Sequence, residues 1–290
     1  MSPAKKKPAV PTKKTKTPVK KKSPAKSAVK TAPAIPKKPK TATFHPELRV
    51  YPTAALLYEE AAPFVMKTAR EAADARGRFV WALSGGTTPK GLFQQLTEEP
   101  YLSLMPWDKT YVFWVDERHV PLTDESSNYR LAQEFLLSKV PVPKANVFPM
   151  SDGSQPVDRA ASSYEIKLGK FFGTGALPRF DLSLMGMGDD GHTASLFPGM
   201  PQVNELDRWV VGYFVDDAKK ERVSLTFPVL NASRVLLVMM EGQKKAERVK
   251  DVLEGAKDPP RYPVQYLRPT DGDLVFAMDA AAASLLSKKA

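Results

Sequence analysis

Three short polar segments concentrate the residues able to move a proton or hold an anion: SGGTTP (84–89), DERHVP (116–121) and GDDGHTASLFPG (188–199). The third is the richest. It presents Asp189, Asp190 and His192 on a loop in which Gly186, Gly188 and Gly191 fall within six residues. Histidine takes and returns a proton near neutrality, and a nearby carboxylate fixes its tautomer and raises its basicity. Asp190, two residues before His192, can turn back to serve that role. A turn closed by aspartate side chains around a satisfied histidine is the plainer reading, but the chain has only three histidines.

In the first segment, Gly85 and Gly86 allow a sharp turn and a close approach to a ligand, Thr88 is an N-cap candidate, and Pro89 suits a first helical turn. The free amides of such a helix start attract a phosphate or carboxylate, with the hydroxyls of Ser84, Thr87 and Thr88 as further donors. A tight turn with no ligand fits these residues equally. The second segment supplies Arg118, whose planar fork holds a phosphate through two hydrogen bonds or pairs with Asp116 or Glu117 at a sheet edge. His119 beside it is a ligand contact or a partly buried structural histidine. No sulfur ligand and no H-x-x-x-H pair exists, so a metal is not expected. The G-x-S-x-G and P-loop patterns are also absent.

The elements that must position these segments follow from periodicity. ELRVY, a helix of about twenty residues and RFVWAL open the series; TYVFWVDE, the amphipathic NYRLAQEFLLSKV, RFDLSLMGMG, DRWVVGYFV, RVSLTF and RVLLVMM continue it. KKAERVKDVLEG reads as a helix with a glycine stop, DLVFAMD as a strand and AAAASLLSKK as a final helix. Near-continuous apolar strands alternating with amphipathic helices predict a mostly parallel sheet covered on both faces, a Rossmann-like three-layer α/β/α domain. Parallel strands would bring all three polar segments to one edge, outside the strands' carboxyl ends, where such sheets bind ligands.

Charge divides the chain. Residues 1–40 hold fourteen lysines and no Asp, Glu or Arg, so the net +11 is theirs and the other 250 residues sum to −3. Residues 1–43 carry too few large apolar side chains to offset the entropy of ordering, and read as a disordered tail before a single catalytic domain at 44–290. The tail suits a weak, sequence-indifferent contact with a polyanion or nucleic acid through residues 1–40, or simply aids solubility. It has neither the apolar run of a secretory signal nor the arginine-rich amphipathic pattern of a transit peptide, and no stretch approaches a membrane span. The absence of cysteine excludes disulfides and thiolate chemistry and suits a reducing compartment, so a cytoplasmic protein without membrane contact is expected.

The motifs LSGGTTP, WVDERHVP followed by SNYRLA, and GMGDDGHTASLFPG, with RVSLTFPVLNASRVLLVMMEGQKKA as a further block, resemble those of 6-phosphogluconolactonases, relatives of glucosamine-6-phosphate deaminase and ribose-5-phosphate isomerase. The resemblance spans about residues 44–288. It implies hydrolysis of 6-phospho-D-glucono-1,5-lactone to 6-phospho-D-gluconate, in the oxidative pentose phosphate pathway, with no cofactor. His192 would then be the base that activates water and the acid that protonates the ring oxygen, with Asp190 orienting it. Gly85, Gly86, Thr87 and Arg118 would hold the phosphate or the lactone's polar edge, and Arg222 is a further candidate. The deaminase loop carries a glutamate five residues after the histidine, where this chain has Phe197; that replacement disfavours an isomerase or deaminase reaction. A third alternative is a polyanion-binding protein acting through the basic tail.

Overall fold

The structure, a computed structural model, describes residues 46–287. The lysine-rich segment 1–43 lies outside them. The first half runs β1 (Glu47–Tyr51), α1 (Ala54–Arg76), β2 (Phe79–Leu83), α2 (Thr87–Leu96), α3 (Tyr101–Leu104), β3 (Thr110–Trp114), β4 (Asp116–Arg118), α4 (Asn128–Ala132) and α5 (Val157–Phe172). The second half runs β5 (Leu182–Met185), β6 (Val210–Phe214), β7 (Glu221–Leu225), α6 (Phe227–Asn231), β8 (Val235–Met240), α7 (Ala246–Leu253) and β9 (Asp273–Asp279). Among the described residues no helix is long and apolar enough to cross a membrane.

Six strands pair in the order β1-β9-β8-β5-β2-β3, every pair parallel. Helices cover this sheet in a three-layer α/β/α arrangement, as the sequence pattern predicts. The central strands β2 and β5 are buried along their whole length, which is why they read as unbroken apolar runs rather than alternating ones. Helix α1 starts where the Thr53 hydroxyl accepts the Leu56 N–H and stops at Gly77, whose φ of 72° only glycine adopts without strain. Its buried positions, from Leu57 through Ala61, Val65 and Ala69 to Ala72, recur every three or four residues.

A second sheet, antiparallel and ordered β4-β7-β6, was not legible as such. The DERHVP segment, read as a polar loop, instead contributes strand β4, paired with β7 so that Asp116 faces Ser224 and Arg118 faces Arg222. Val115 joins the two sheets: its N–H donates to Leu83 of β2 and its carbonyl accepts from Leu225 of β7. The chain thus passes from the edge of the large sheet directly into the small one. Two helices also differ from expectation. NYRLAQEFLLSKV is α-helical only to Ala132 and widens into a π-helical stretch over Gln133–Leu137. AAAASLLSKK does not form a helix over its described part, which takes turns instead. There the Asp279 carboxylate accepts the Ala282 N–H, and Ala282 and Ala283 are buried, so these alanines serve close packing rather than helix propensity.

Candidate active site

Strands β3, β2 and β5 are neighbours in the parallel sheet, so their carboxyl ends lie side by side. The three polar segments that follow them meet around one cleft of about 270 Å³. Ser84, Gly85 and Gly86 form one wall, Arg118 with Asp116 another, and Gly186, Gly188 and His192 a third. Asn128 and Lys245, which sequence reading did not single out, complete it.

Gly86 is the N-cap of α2, with φ 104°, and no side chain caps the helix. Its first-turn amides are therefore left for a ligand, and Pro89 has none to leave. The cap expected at Thr88 lies two residues earlier, at Gly86: the helix already begins at Thr87, and Thr88 is buried inside it. Neither Thr87 nor Thr88 lines the cleft.

The His192 loop is closed by its own backbone. Gly188 donates to the His192 carbonyl at 2.9 Å and Gly191 to the Gly188 carbonyl at 3.1 Å. Asp190 Oδ1 accepts the His192 N–H at 3.0 Å and meets Nδ1 at 2.6 Å. This network assigns the ring proton to Nδ1 and leaves Nε2 with a lone pair. Partial burial pulls the Asp190 carboxyl upward, but the hydrogen bond and charge of His192 outweigh it and hold Asp190 at about 2. Glycine is required at 188 for space: a Cβ there would stand 2.0 Å from His192 Nδ1. Phe197, 5% exposed, lies against the imidazole with ring centroids 4.4 Å apart. Asp189 faces elsewhere; Lys245 Nζ donates to its carboxylate at 2.5 Å, and Arg248 Nε to its carbonyl at 2.9 Å.

Arg118 does not make the alternative ion pair with Asp116 or Glu117; its guanidinium donates to the Ser126 carbonyl. Arg222, its register partner, lies outside the cleft lining and donates to the Glu221 carbonyl at 3.0 Å. Burial lowers the Arg222 pKa, and the adjacent Arg118 charge lowers it further. His119 takes the structural reading, its ring nitrogens 2.6 Å from Ser151 Oγ and 2.7 Å from the Gln155 carbonyl, away from the cleft. Asp116 puts a carboxylate in the cleft lining, held by the Ser195 hydroxyl at 2.7 Å. Asn128 donates to the Asp116 carbonyl at 2.9 Å, and its own buried Oδ1 has no protein partner. Among the described residues no group of three or more His, Asp or Glu side chains is arranged to hold a metal ion.

Residues 52–276 match the family described as glucosamine-6-phosphate isomerases/6-phosphogluconolactonase. The chain belongs to this family. A relative from Oryza sativa subsp. indica, named "Probable 6-phosphogluconolactonase 3, chloroplastic", is 39% identical over 251 residues, covering 83% of this chain and 76% of that protein. A 6-phosphogluconolactonase from Synechocystis is 35% identical over 239 residues, covering 82% of this chain and 97% of its own length. The solved structure of the 6-phosphogluconolactonase from Trypanosoma brucei superposes with a TM-score of 0.76 at 27% identity, over 84% of this chain and all of that one. All three segments that wall the cleft lie within the matched residues.

Proposed function

We propose that this chain hydrolyses 6-phospho-D-glucono-1,5-lactone to 6-phospho-D-gluconate with His192 as general base. The observation that carries the mechanism is the 2.6 Å contact between Nδ1 and Asp190, which leaves Nε2 basic on a ring that lines the cleft. Nε2 takes a proton from water, and the resulting hydroxide adds to the lactone carbonyl carbon. The tetrahedral intermediate then collapses by breaking the bond from that carbon to the ring oxygen, which receives the proton back from the imidazolium. Asp190, already ionised, stabilises the imidazolium between the two transfers. A δ-lactone is an activated ester, so one positioned base suffices, and such catalysis contributes typically about 10²–10⁴-fold. The rest comes from holding the substrate by its remote phosphate and from donors facing the developing oxyanion. The amides at the start of α2 and the Arg118 guanidinium supply positive charge for the phosphate or the polar edge of the ring, and Lys245, which also bonds Asp189, lines the same cleft.

A deaminase reaction would need a group that opens the sugar ring, and the position five residues after His192 holds a buried phenyl ring instead. Supplying the protein with the lactone and with glucosamine 6-phosphate in parallel separates the two: acid release from the first and no ammonia from the second is expected, and the reverse pattern refutes the assignment. The fourteen lysines of residues 1–40 support a second, separable property, a weak salt-sensitive contact with polyanions. Deleting residues 1–43 should abolish DNA retardation at low salt and leave turnover unchanged; equal retardation without the segment contradicts it.

A further inference from the structure

The strand that carries Arg118 to the cleft also carries a charged residue that never reaches it. Glu117 is 1% exposed and stands outside the cleft lining. Its Oε1 accepts the backbone N–H groups of Arg118 and Asn128, both at 2.7 Å. Its Oε2 accepts the N–H of Tyr129 at 2.8 Å and the Ser127 hydroxyl at 3.1 Å. Two of these four tethered residues, Arg118 and Asn128, line the cleft. The linkage continues beyond them. Asn128 donates to Asp116, and its Oδ1 sits so close to Gly85 that a Cβ there would fall 1.8 Å from it. One carboxylate therefore ties β4 to the start of α4 and, through Asn128, to the turn before α2.

Closing a turn does not by itself call for this side chain. Four donors converge on two oxygens, and only an ionised carboxylate is acceptor-only at both. Glutamine has the same size, but whichever way its amide is turned, two of the four donors would face an NH₂ group. Burying a carboxylate is costly unless it is bonded and paired. Here the four donors offset part of that cost, and the charge also offsets the repulsion between Arg118 and Arg222, which face each other across β4 and β7.

We propose that Glu117 is a positioning residue for substrate binding: its carboxylate locks Arg118 and Asn128 into one unit against the Gly85 turn and so sets the cleft's affinity for the phosphorylated sugar. This rests on the reading of the cleft as a lactonase site. The groups facing it are Asp116 and Arg118 on its own strand, Arg222 on β7 and Tyr164 on α5. Burial pushes the carboxyl up to about 7 against the pull of the three backbone N–H groups, with Asp116 adding to the rise. Its protonation therefore falls within the neutral range and would release part of the clamp.

The test is Glu117→Gln in the full chain. KM for the lactone is expected to rise about 10-fold or more with kcat held within about 3-fold, the signature of lost binding rather than lost chemistry. In the wild type, KM should rise as pH falls from about 8 to about 6, and the ratio of variant to wild-type KM should shrink over that range. A lower KM in the variant would mean that the carboxylate acts only as a repelling charge near an anion site, and an unchanged KM with a lower Tm that it is merely structural; either overturns the proposal. If Glu117→Gln does not fold, Ser127→Ala removes one donor and keeps the charge, and should raise KM roughly 3-fold; no change overturns the proposal. Calorimetric titration with inorganic phosphate reads the clamp without turnover. Weaker binding by the variant is expected, and equal or tighter binding refutes the clamp, whereas a wild type that binds phosphate but leaves the lactone intact refutes the lactonase reading alone.

Discussion

The two polar walls of the cleft are built on opposite plans. The histidine wall is a glycine-rich loop that closes on itself, with the His192 side chain 28% exposed and its partner Asp190 only two residues away. The arginine wall belongs to a buried strand, and its order comes from contacts across the chain, with Glu117 reaching residues eleven and twelve positions on. A proton carrier must reach water, so local bonding and partial exposure suit it. A group that must meet a phosphate at a fixed place gains from burial and rigid support, because misplacement is paid for directly in binding.

If the comparison holds, crowding the first wall should damage chemistry and crowding the second should damage affinity. Gly188→Ala is expected to have the largest effect of the glycine substitutions. Its methyl group would push the imidazole off Asp190, so kcat should fall about 100-fold or more while circular dichroism stays native. Gly85→Ala displaces Asn128 instead and should raise KM about 10-fold with a smaller change in kcat. A kcat defect at 85, or a pure KM defect at 188, would reverse the assignment of the walls.

The two carboxylates also predict opposite pH trends in stability, the smallest of these effects. Asp190 titrates at about 2 when folded, below its ordinary 3.8, so its contribution is complete above 3.8 and is lost as pH falls through 2. The Tm deficit of Asp190→Asn should accordingly shrink below about pH 4. Glu117 titrates at about 7, above its ordinary 4.5, so its buried charge costs stability above about pH 7 and the cost fades as pH falls toward 4.5. The Tm of Glu117→Gln relative to the wild type should therefore rise between pH 5 and pH 8. Parallel trends in the two variants would contradict the contrast.

The histidine wall was legible in the sequence because its parts are contiguous: His192, Asp190 and the glycines that crowd them lie within a few residues. The parallel sheet was legible for a related reason, since strands buried on both faces leave unbroken apolar runs such as Phe79–Leu83. Of the arginine wall, only Arg118 itself was legible. Strand β4 is three polar residues long and carries no alternation, so its pairing with β7 is set by Val115 bridging the two sheets. Asn128 and Lys245 reach the cleft from distant segments, and nothing local marks them; only their places in the SNYRLA and GQKKA blocks of the family resemblance hinted at them. The C-terminal alanines misled because the same small side chain serves helix propensity and close packing.

The central claim is that Nε2 of His192 activates the water that opens the lactone. Its most direct measurement is the rate of 6-phospho-D-glucono-1,5-lactone hydrolysis by His192→Asn, compared with the wild type and with the spontaneous reaction at the same pH. Asparagine can still bond to Asp190 and leaves the fold intact but offers no base, so the rate should drop by about 10²–10⁴-fold toward the uncatalysed background. Wild-type turnover in the folded variant would contradict the account.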